Sequence, residues 1–169
     1  MKRVYDDTLI IDSDMFLIDE FDISKYRKYE AVFVLQQRGS ISYMWPQYYY
    51  FNMSIMKNFD VLNWNLCDYC DAGGNTKYWI EKQFNSELPT TDSLRYSKEG
   101  FERNNCLLVK HLWSLTWNDI EMPIKLKNSK IANFIRNDPR NKDNGYYCEI
   151  YDDIFLHYRG GGDWYRKGL

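Results

Sequence analysis

Thr8-Leu9-Ile10-Ile11-Asp12-Ser13-Asp14 joins a short apolar, β-branched run to a pair of aspartates. Such a run, stopped by polar turn residues, predicts a buried β-strand that ends at Ile11. Two carboxylates that follow a strand directly lie at its tip, where the chain bends, and both can point at one divalent cation. An Asx-turn at the start of a loop is the alternative interpretation of the same residues.

Apolar runs alternate with helical patches along the rest of the chain. A helix is predicted at residues 76–84, capped by Asn75 and with Tyr78, Ile80 and Phe84 on its apolar face. Strands are predicted at residues 31–35, 48–53, 146–150 and 154–158, one bent strand or two short ones at 107–117, a turn at Gly39 and an exposed loop at 137–145. The alternation predicts an α/β fold with a mixed, mostly parallel sheet flanked by helices.

The composition is that of one globular domain spanning residues 1–169, with a net charge of -2 and 18% aromatic residues. The near-neutral charge argues against nucleic acid as a partner. The sequence has no apolar run long enough to span a membrane and no apolar core of a signal peptide, which predicts a cytoplasmic protein. The aromatic residues can fill a core with few side chains, and the half-polar tyrosines and tryptophans also suit a wet cleft.

The four cysteines are too sparse for a disulfide scaffold, so they are predicted to be reduced. Cys67 and Cys70 have the spacing of a zinc or redox pair, but the other two, Cys106 and Cys148, are single and distant in sequence. Because a zinc site of this kind needs two pairs at short spacing, a zinc protein is the weaker hypothesis.

Three further segments carry groups suited to metal, phosphate or sugar. His157 ends a predicted strand and is followed by Arg159 and by glycines 160–162, which together offer a metal ligand, a phosphate-pairing guanidinium and backbone N–H groups. A structural histidine is the alternative there. The other two segments are Asp71-Ala72-Gly73-Gly74, before the predicted helix, and Asn52-Met53-Ser54, at the end of an aromatic strand. The alternatives are a glycine-rich loop with a helix cap for the first and a strand whose rings pack in the core for the second.

Taken in order, these segments resemble the catalytic half of a GT-A fold glycosyltransferase, most nearly the glycogenin-like family-8 group. Residues 9–14 are similar to the strand that ends in the family's DxD motif, and residues 156–160 to its C-terminal His-x-x-Gly element, with Trp164 in place of Lys-Pro-Trp. Residues 50–54 resemble the segment that lines the donor sugar, although Met53 and Ser54 depart from its pattern. Residues 71–74 loosely resemble the segment whose acid contacts that sugar.

The resemblance implies a metal-dependent enzyme that moves a sugar from a nucleoside diphosphate, a UDP-sugar in this family, to a glycan or other acceptor. It implies Asp12, Asp14 and His157 as ligands of Mn²⁺ or Mg²⁺ and Asp71 as the catalytic residue. The substrate-binding residues that it implies are Asn52, Ser54, Gly73, Gly74, Arg159, Gly160 and Trp164. Its sugar substrate makes Trp45, Trp64, Trp79 and Tyr48 candidates for stacking on a sugar ring, with packing in the core as the alternative for each.

The main departure from the family lies before the DxD motif. Nucleotide-binding βα units precede the motif in the family, whereas only eleven residues precede Asp12 here. The chain is therefore expected to be a GT-A-like domain or its catalytic C-terminal portion, with a partner chain or a second copy of the chain as the candidate to complete the donor site. The alternative function is a non-catalytic GT-A-like remnant that acts as a carbohydrate-binding or assembly module.

Overall fold

One of the two sheets contains five strands. The structure, a computed structural model, describes residues 7–67, 70, 72–85, 99–143 and 145–158. The strands of this sheet are β1 (Asp7–Ile11), β3 (Ala31–Arg38), β4 (Ile41–Asn52), β5 (Phe101–Arg103) and β6 (Cys106–Leu108). Their order is β1-β4-β3-β6-β5, and in this sheet only β3 and β6 pair in parallel.

The second sheet contains four strands, all antiparallel to their neighbours. They are β2 (Met15–Leu17), β7 (His111–Leu112), β8 (Glu149–Tyr151) and β9 (Phe155–His157), in the order β2-β9-β8-β7. The 107–117 region is thus two short strands, β6 and β7, which belong to different sheets.

The predicted combination of helices with mixed pairing is confirmed, but the predicted excess of parallel pairs is wrong. Parallel neighbours need a long crossover, whereas tight turns join antiparallel ones. The turn at Gly39 connects β3 to β4 directly, as predicted, and Asn104 and Asn105 connect β5 to β6. All three residues have positive φ (57°, 49° and 59°), the backbone conformation that such hairpin turns require.

Three α-helices lie in the described residues: α1 (Lys77–Phe84), α2 (Ile124–Lys127) and α3 (Lys130–Arg136). None of these helices is long and apolar enough to cross a bilayer. The prediction of α1 is confirmed, but two of its details are wrong. Trp79 takes the place of Tyr78 on the buried face, because Tyr78 is 51% exposed, and Asn75 lies within the 3₁₀ turn Gly74–Thr76 rather than at the cap.

Three apolar cores lie between the packed sheets and helices. Alternate residues of β3 face opposite sides, so that Phe33 packs against α1 while Val32 and Val34 face the second sheet. The remaining core lies between the other face of the second sheet and helices α2 and α3, and contains Ile150, Leu156, Leu126 and Ile135. The two sheets therefore share one apolar layer, and the candidate site lies where they are joined.

The turn at residues 12–14 carries the chain from one sheet to the other. β1 is an edge strand of the first sheet and β2 an edge strand of the second, where β2 pairs with β9. The predicted burial of β1 is wrong, because Ile10 and Ile11 are each 40% exposed at this edge. Since Met15 is the residue opposite His157, the turn lies beside the end of β9.

Candidate metal centre

Asp12, Asp14 and His157 converge, although they lie at opposite ends of the sequence. Each offers one ligand atom, and these atoms all lie within 4.8 Å of one another. His157 is buried and its Nε2 lies 3.2 Å from Asp14 Oδ1, while the two aspartates are half-buried. The predicted ligand set is therefore assembled in one place by the turn between the sheets.

Backbone hydrogen bonds fix the position of Asp12. Its N–H donates to the Gln47 carbonyl of β4 (2.9 Å), and its own carbonyl accepts from the Met15 N–H (3.2 Å). The Asp12 Oδ1 atom also accepts from the Ser13 N–H (2.7 Å). Because a carboxylate has several lone pairs, the local turn and the metal interpretation are compatible.

A buried oxygen of Asp14 indicates that the cluster suits a cation. Asp14 Oδ1 is shielded from solvent and accepts no hydrogen bond from the described residues, although His157 Nε2 is close. An unpaired buried carboxylate oxygen is costly, and a cation between Oδ1 and Nε2 would satisfy both atoms. Two carboxylates and one imidazole form a donor set suited to Mn²⁺ and related divalent ions.

Glu149 lies behind His157 and was not predicted from the sequence. This carboxylate is buried, and its Oε2 lies 3.4 Å from His157 Nδ1 and 3.4 Å from His111 Nε2. The Tyr151 hydroxyl donates to the same oxygen (2.5 Å). Burial alone would raise the pKa of the Glu149 carboxyl, but the two imidazoles and the hydroxyl hold its pKa well below its usual range.

Stacked rings support this carboxylate. Tyr151 lies between Tyr48 and His111, with centroid distances of 5.7 and 4.5 Å and interplanar angles of 4° and 11°. The sequence contains one signal for this buried carboxylate, which is the glutamate between Cys148 and Ile150 in a predicted strand. A charged residue that faces a core must be paired, and a histidine on a neighbouring strand is a suitable partner.

An ion pair between buried Asp138 and half-buried Arg140 anchors the residue that follows His157. The Tyr158 hydroxyl donates to Asp138, whose carboxylate also accepts from Arg140 Nη2 (2.7 Å). Asp138 is only 6% exposed, so the predicted exposed loop at 137–145 contains one buried carboxylate. Burial would raise the pKa of Asp138, but hydrogen bonds from Arg140 and Tyr158 lower it to about 2.

The Asp138 pair predicts a specific acid dependence of stability. The pKa of the Asp138 carboxyl falls from an ordinary value of 3.8 to about 2 in the folded state, so the pair stabilises fully above pH 3.8 and this contribution is lost as the pH falls towards 2. Urea unfolding of the wild type and Asp138→Asn should show a stability difference that shrinks by roughly 2 kcal/mol across that window. A difference that stays constant with pH would exclude this role of Asp138.

The structure does not bring Asn52 and Ser54 to the cluster. Asn52 pairs with Asp7, at the end of β1 opposite Asp12, which is roughly 15 Å away along the strand. Its side-chain amide donates to the Arg27 carbonyl (2.8 Å), and its Oδ1 accepts from the Ser54 N–H (3.1 Å). These contacts make Asn52 the anchor of the turn that follows β4.

Gly73 and Gly74 pack against protein atoms and do not line the cluster. Gly73 has φ = 86°, and a Cβ there would lie 3.1 Å from the Met44 carbonyl oxygen. A Cβ on Gly74 would lie 2.6 Å from Cys67 Sγ. The glycines are needed for close packing on β4 and on the cysteine loop. Four other predicted site residues, Asp71, Arg159, Gly160 and Trp164, lie outside the described residues.

Of the four aromatic residues proposed to stack on a sugar, Trp45 combines partial exposure with a hydrogen bond to Gln47, which contacts the cluster. Tyr48 and Trp79 are fully buried, and Trp64 stacks on Tyr49 at a centroid distance of 4.2 Å. Trp45 is half-buried, and its indole N–H donates to Gln47 Oε1 (2.6 Å). Gln47 also holds the Asp12 backbone, so Trp45 is the remaining candidate for a sugar contact.

The cysteines do not form a common site. Cys106 and Cys148 are buried in different cores, and Cys67 and Cys70 are half-buried in the loop before α1 and form no disulfide. Among the described residues, the only cluster of three or more potential ligands is that of Asp12, Asp14 and His157. The structure therefore gives no support to the zinc hypothesis.

The chain was also compared with known proteins. No family model, curated protein or solved structure matches it.

Proposed function

We propose that this protein is a metal-dependent glycosyltransferase, or the catalytic portion of one, that moves a sugar from a nucleoside-diphosphate donor to an acceptor. The observation that carries the proposal is the convergence of Asp12, Asp14 and His157. The resemblance to GT-A enzymes assigns these three residues to one ligand set from the sequence alone, and this assignment uses no distance between them. Two unrelated chance matches would have no reason to meet in the fold.

The proposal also assigns the two sheets to a known type of fold. We take the two sheets as a GT-A-like catalytic half in which β1 carries the DxD motif. The described residues place no strand on the outer side of β1, where Ile10 and Ile11 are exposed. This open edge next to the cluster supports the expectation that a partner chain or second copy completes the donor site.

The proposed chemistry is electrostatic. Asp12, Asp14 and His157 would hold Mn²⁺ or Mg²⁺, and such an ion stabilises the charge that develops on a leaving diphosphate. The chain's own contribution is to fix its ligands. Gln47 holds the Asp12 backbone, and the turn at 12–14 keeps Asp14 against His157. Asp71 remains the candidate for holding or deprotonating a sugar or acceptor hydroxyl, and Arg159 for pairing with the diphosphate.

Ligand-dependent stabilisation tests the proposal. With Mn²⁺ present, a UDP-sugar at 100 times its Kd is expected to stabilise the wild type by about 2.7 kcal/mol, because it binds the folded state alone. Chelation of the metal with EDTA should remove this stabilisation, and so should Asp14→Ala. Thermal unfolding monitored by circular dichroism measures the effect, and Asp60→Ala, at an exposed site in the 3₁₀ turn Phe59–Val61, is the control.

A second assay separates the enzyme from the alternative module. Mn²⁺-dependent release of UDP from the donor, by hydrolysis or transfer, is expected only of the enzyme. Binding of a glycan without donor binding or UDP release would favour the non-catalytic carbohydrate-binding module. If neither the donor nor the metal stabilises the folded chain, the proposed function is wrong.

A further inference from the structure

We propose that Glu149 positions His157 for metal binding: it accepts the Nδ1–H of the imidazole and thereby presents Nε2, without a proton, to the cation site. This inference rests on the proposed metal-dependent function and adds a residue that the resemblance does not name. Glu149 contacts His157 Nδ1 and acts through that side chain.

Strand register brings the two side chains together. Glu149 of β8 is directly opposite His157 of β9, and directly opposite residues of an antiparallel pair lie on the same face of the sheet. On the other side of β9, Met15 follows immediately after Asp14. His157 therefore lies between a buried carboxylate on one side and the predicted ligands on the other.

The position of Glu149 affects which nitrogen of the His157 imidazole carries the proton. A neutral imidazole has one N–H donor and one lone pair, and the partner of one nitrogen decides the role of the other. An ionised carboxylate can only accept, so Glu149 favours a proton on Nδ1, which lies 3.4 Å from Oε2 and 3.4 Å from the Tyr151 hydroxyl that donates to the same oxygen. Nε2 then keeps its lone pair and lies 3.2 Å from Asp14 Oδ1, the buried oxygen that accepts no hydrogen bond from the described residues.

The surroundings keep Glu149 in place. The Tyr151 hydroxyl donates to Oε2, and the Tyr151 ring is held between Tyr48 and His111. His111 Nε2 lies 3.4 Å from the same oxygen. A carboxylate held in this way has few other orientations, which is what a positioning role requires. Partners of this kind behind metal-bound histidines typically change metal affinity by about 10–100-fold.

The first test measures binding of Mn²⁺ alone by isothermal titration calorimetry. Glu149→Met keeps the size of the side chain but cannot accept the Nδ1–H, and we expect its Kd for Mn²⁺ to rise about 10–100-fold. Glu149→Gln keeps a carbonyl oxygen that can accept, so its Kd should lie between those of the wild type and Glu149→Met. Asp60→Ala, at the exposed site in the 3₁₀ turn Phe59–Val61, is the control and should leave the Kd unchanged.

The second test reports on the imidazole itself and is independent of activity. The chain has only two histidines, so His111→Gln leaves a single set of imidazole ¹⁵N resonances, those of His157. In metal-free protein we expect Nδ1 to carry a proton. In Glu149→Met we expect the proton to move to Nε2, from which it must be displaced before the metal can bind.

The outcomes distinguish this inference from the proposed function. If the wild type binds no Mn²⁺, the proposed metal site is wrong, and the tautomer alone decides whether Glu149 orients His157. Wild-type His157 with no proton on Nδ1 overturns the inference, and so does an unchanged Mn²⁺ affinity in folded Glu149→Met. If Glu149→Met does not fold, two other results test the inference. A weaker Mn²⁺ affinity in Glu149→Gln and a proton on Nδ1 in the wild type support it, and the opposite results overturn it.

Discussion

Asp14→Asn is expected to weaken Mn²⁺ binding by more than about 100-fold and, at the same time, to stabilise the metal-free protein. The first effect follows because the variant loses a charged ligand, and even supporting partners of a ligand contribute about 10–100-fold. The second follows because an asparagine Nδ2–H group can donate to His157 Nε2, where Asp14 Oδ1 now finds no donor among the described residues. Relief of such a buried group is worth about 1–3 kcal/mol.

Weaker Mn²⁺ binding together with a more stable metal-free protein is diagnostic of a binding site that lowers the stability of the fold. For a chain of this length, 1 kcal/mol corresponds to roughly 2–4 °C in Tm, so the metal-free variant should melt at least about 2 °C above the wild type. Calorimetry with and without Mn²⁺ measures both effects. A variant that is less stable than the wild type without metal would show that Asp14 has a structural role instead.

Trp79→Ala is expected to have the largest effect on the fold. Trp79 is fully buried between α1 and the first sheet, and its indole N–H donates to the Lys57 carbonyl (3.0 Å). Truncation of a buried tryptophan costs about 3–5 kcal/mol, because it leaves a cavity and here also an unpaired carbonyl. Urea unfolding monitored by far-UV circular dichroism measures the loss.

Its neighbour Tyr78 provides the matched control. The Tyr78 side chain is exposed, so Tyr78→Ala should change the free energy of unfolding by less than about 1 kcal/mol. Equal losses in the two variants would contradict the face of α1 that the structure buries. If Trp79→Ala does not fold, Trp79→Phe keeps a ring in the core and should show a smaller but measurable loss.

Features encoded locally in the sequence were predictable. The change from an apolar run to Asp12-Ser13-Asp14 predicts both β1 and the bend after it, because the strand signal and the turn signal lie within seven residues. The predicted strand that contains His157 is likewise β9. The metal hypothesis needed only that these two local features meet, and they do so through the β2–β9 pairing.

Features that depend on strand direction and register were not predictable in the same way. In a parallel sheet, the ends of successive strands lie at one edge, and Asn52 would then lie near Asp12. Because β1 and β4 are antiparallel, Asn52 lies at the opposite end. The contact between Glu149 and His157 depends on the β8–β9 register, which no local pattern specifies.

Anomalous diffraction from crystals grown with Mn²⁺ and UDP locates the metal directly. We expect a manganese peak within roughly 2.0–2.6 Å of carboxylate oxygens of Asp12 and Asp14 and of His157 Nε2, with the UDP diphosphate on the same ion. Manganese bound elsewhere, or ordered UDP with no manganese at these three side chains, would contradict the proposed function.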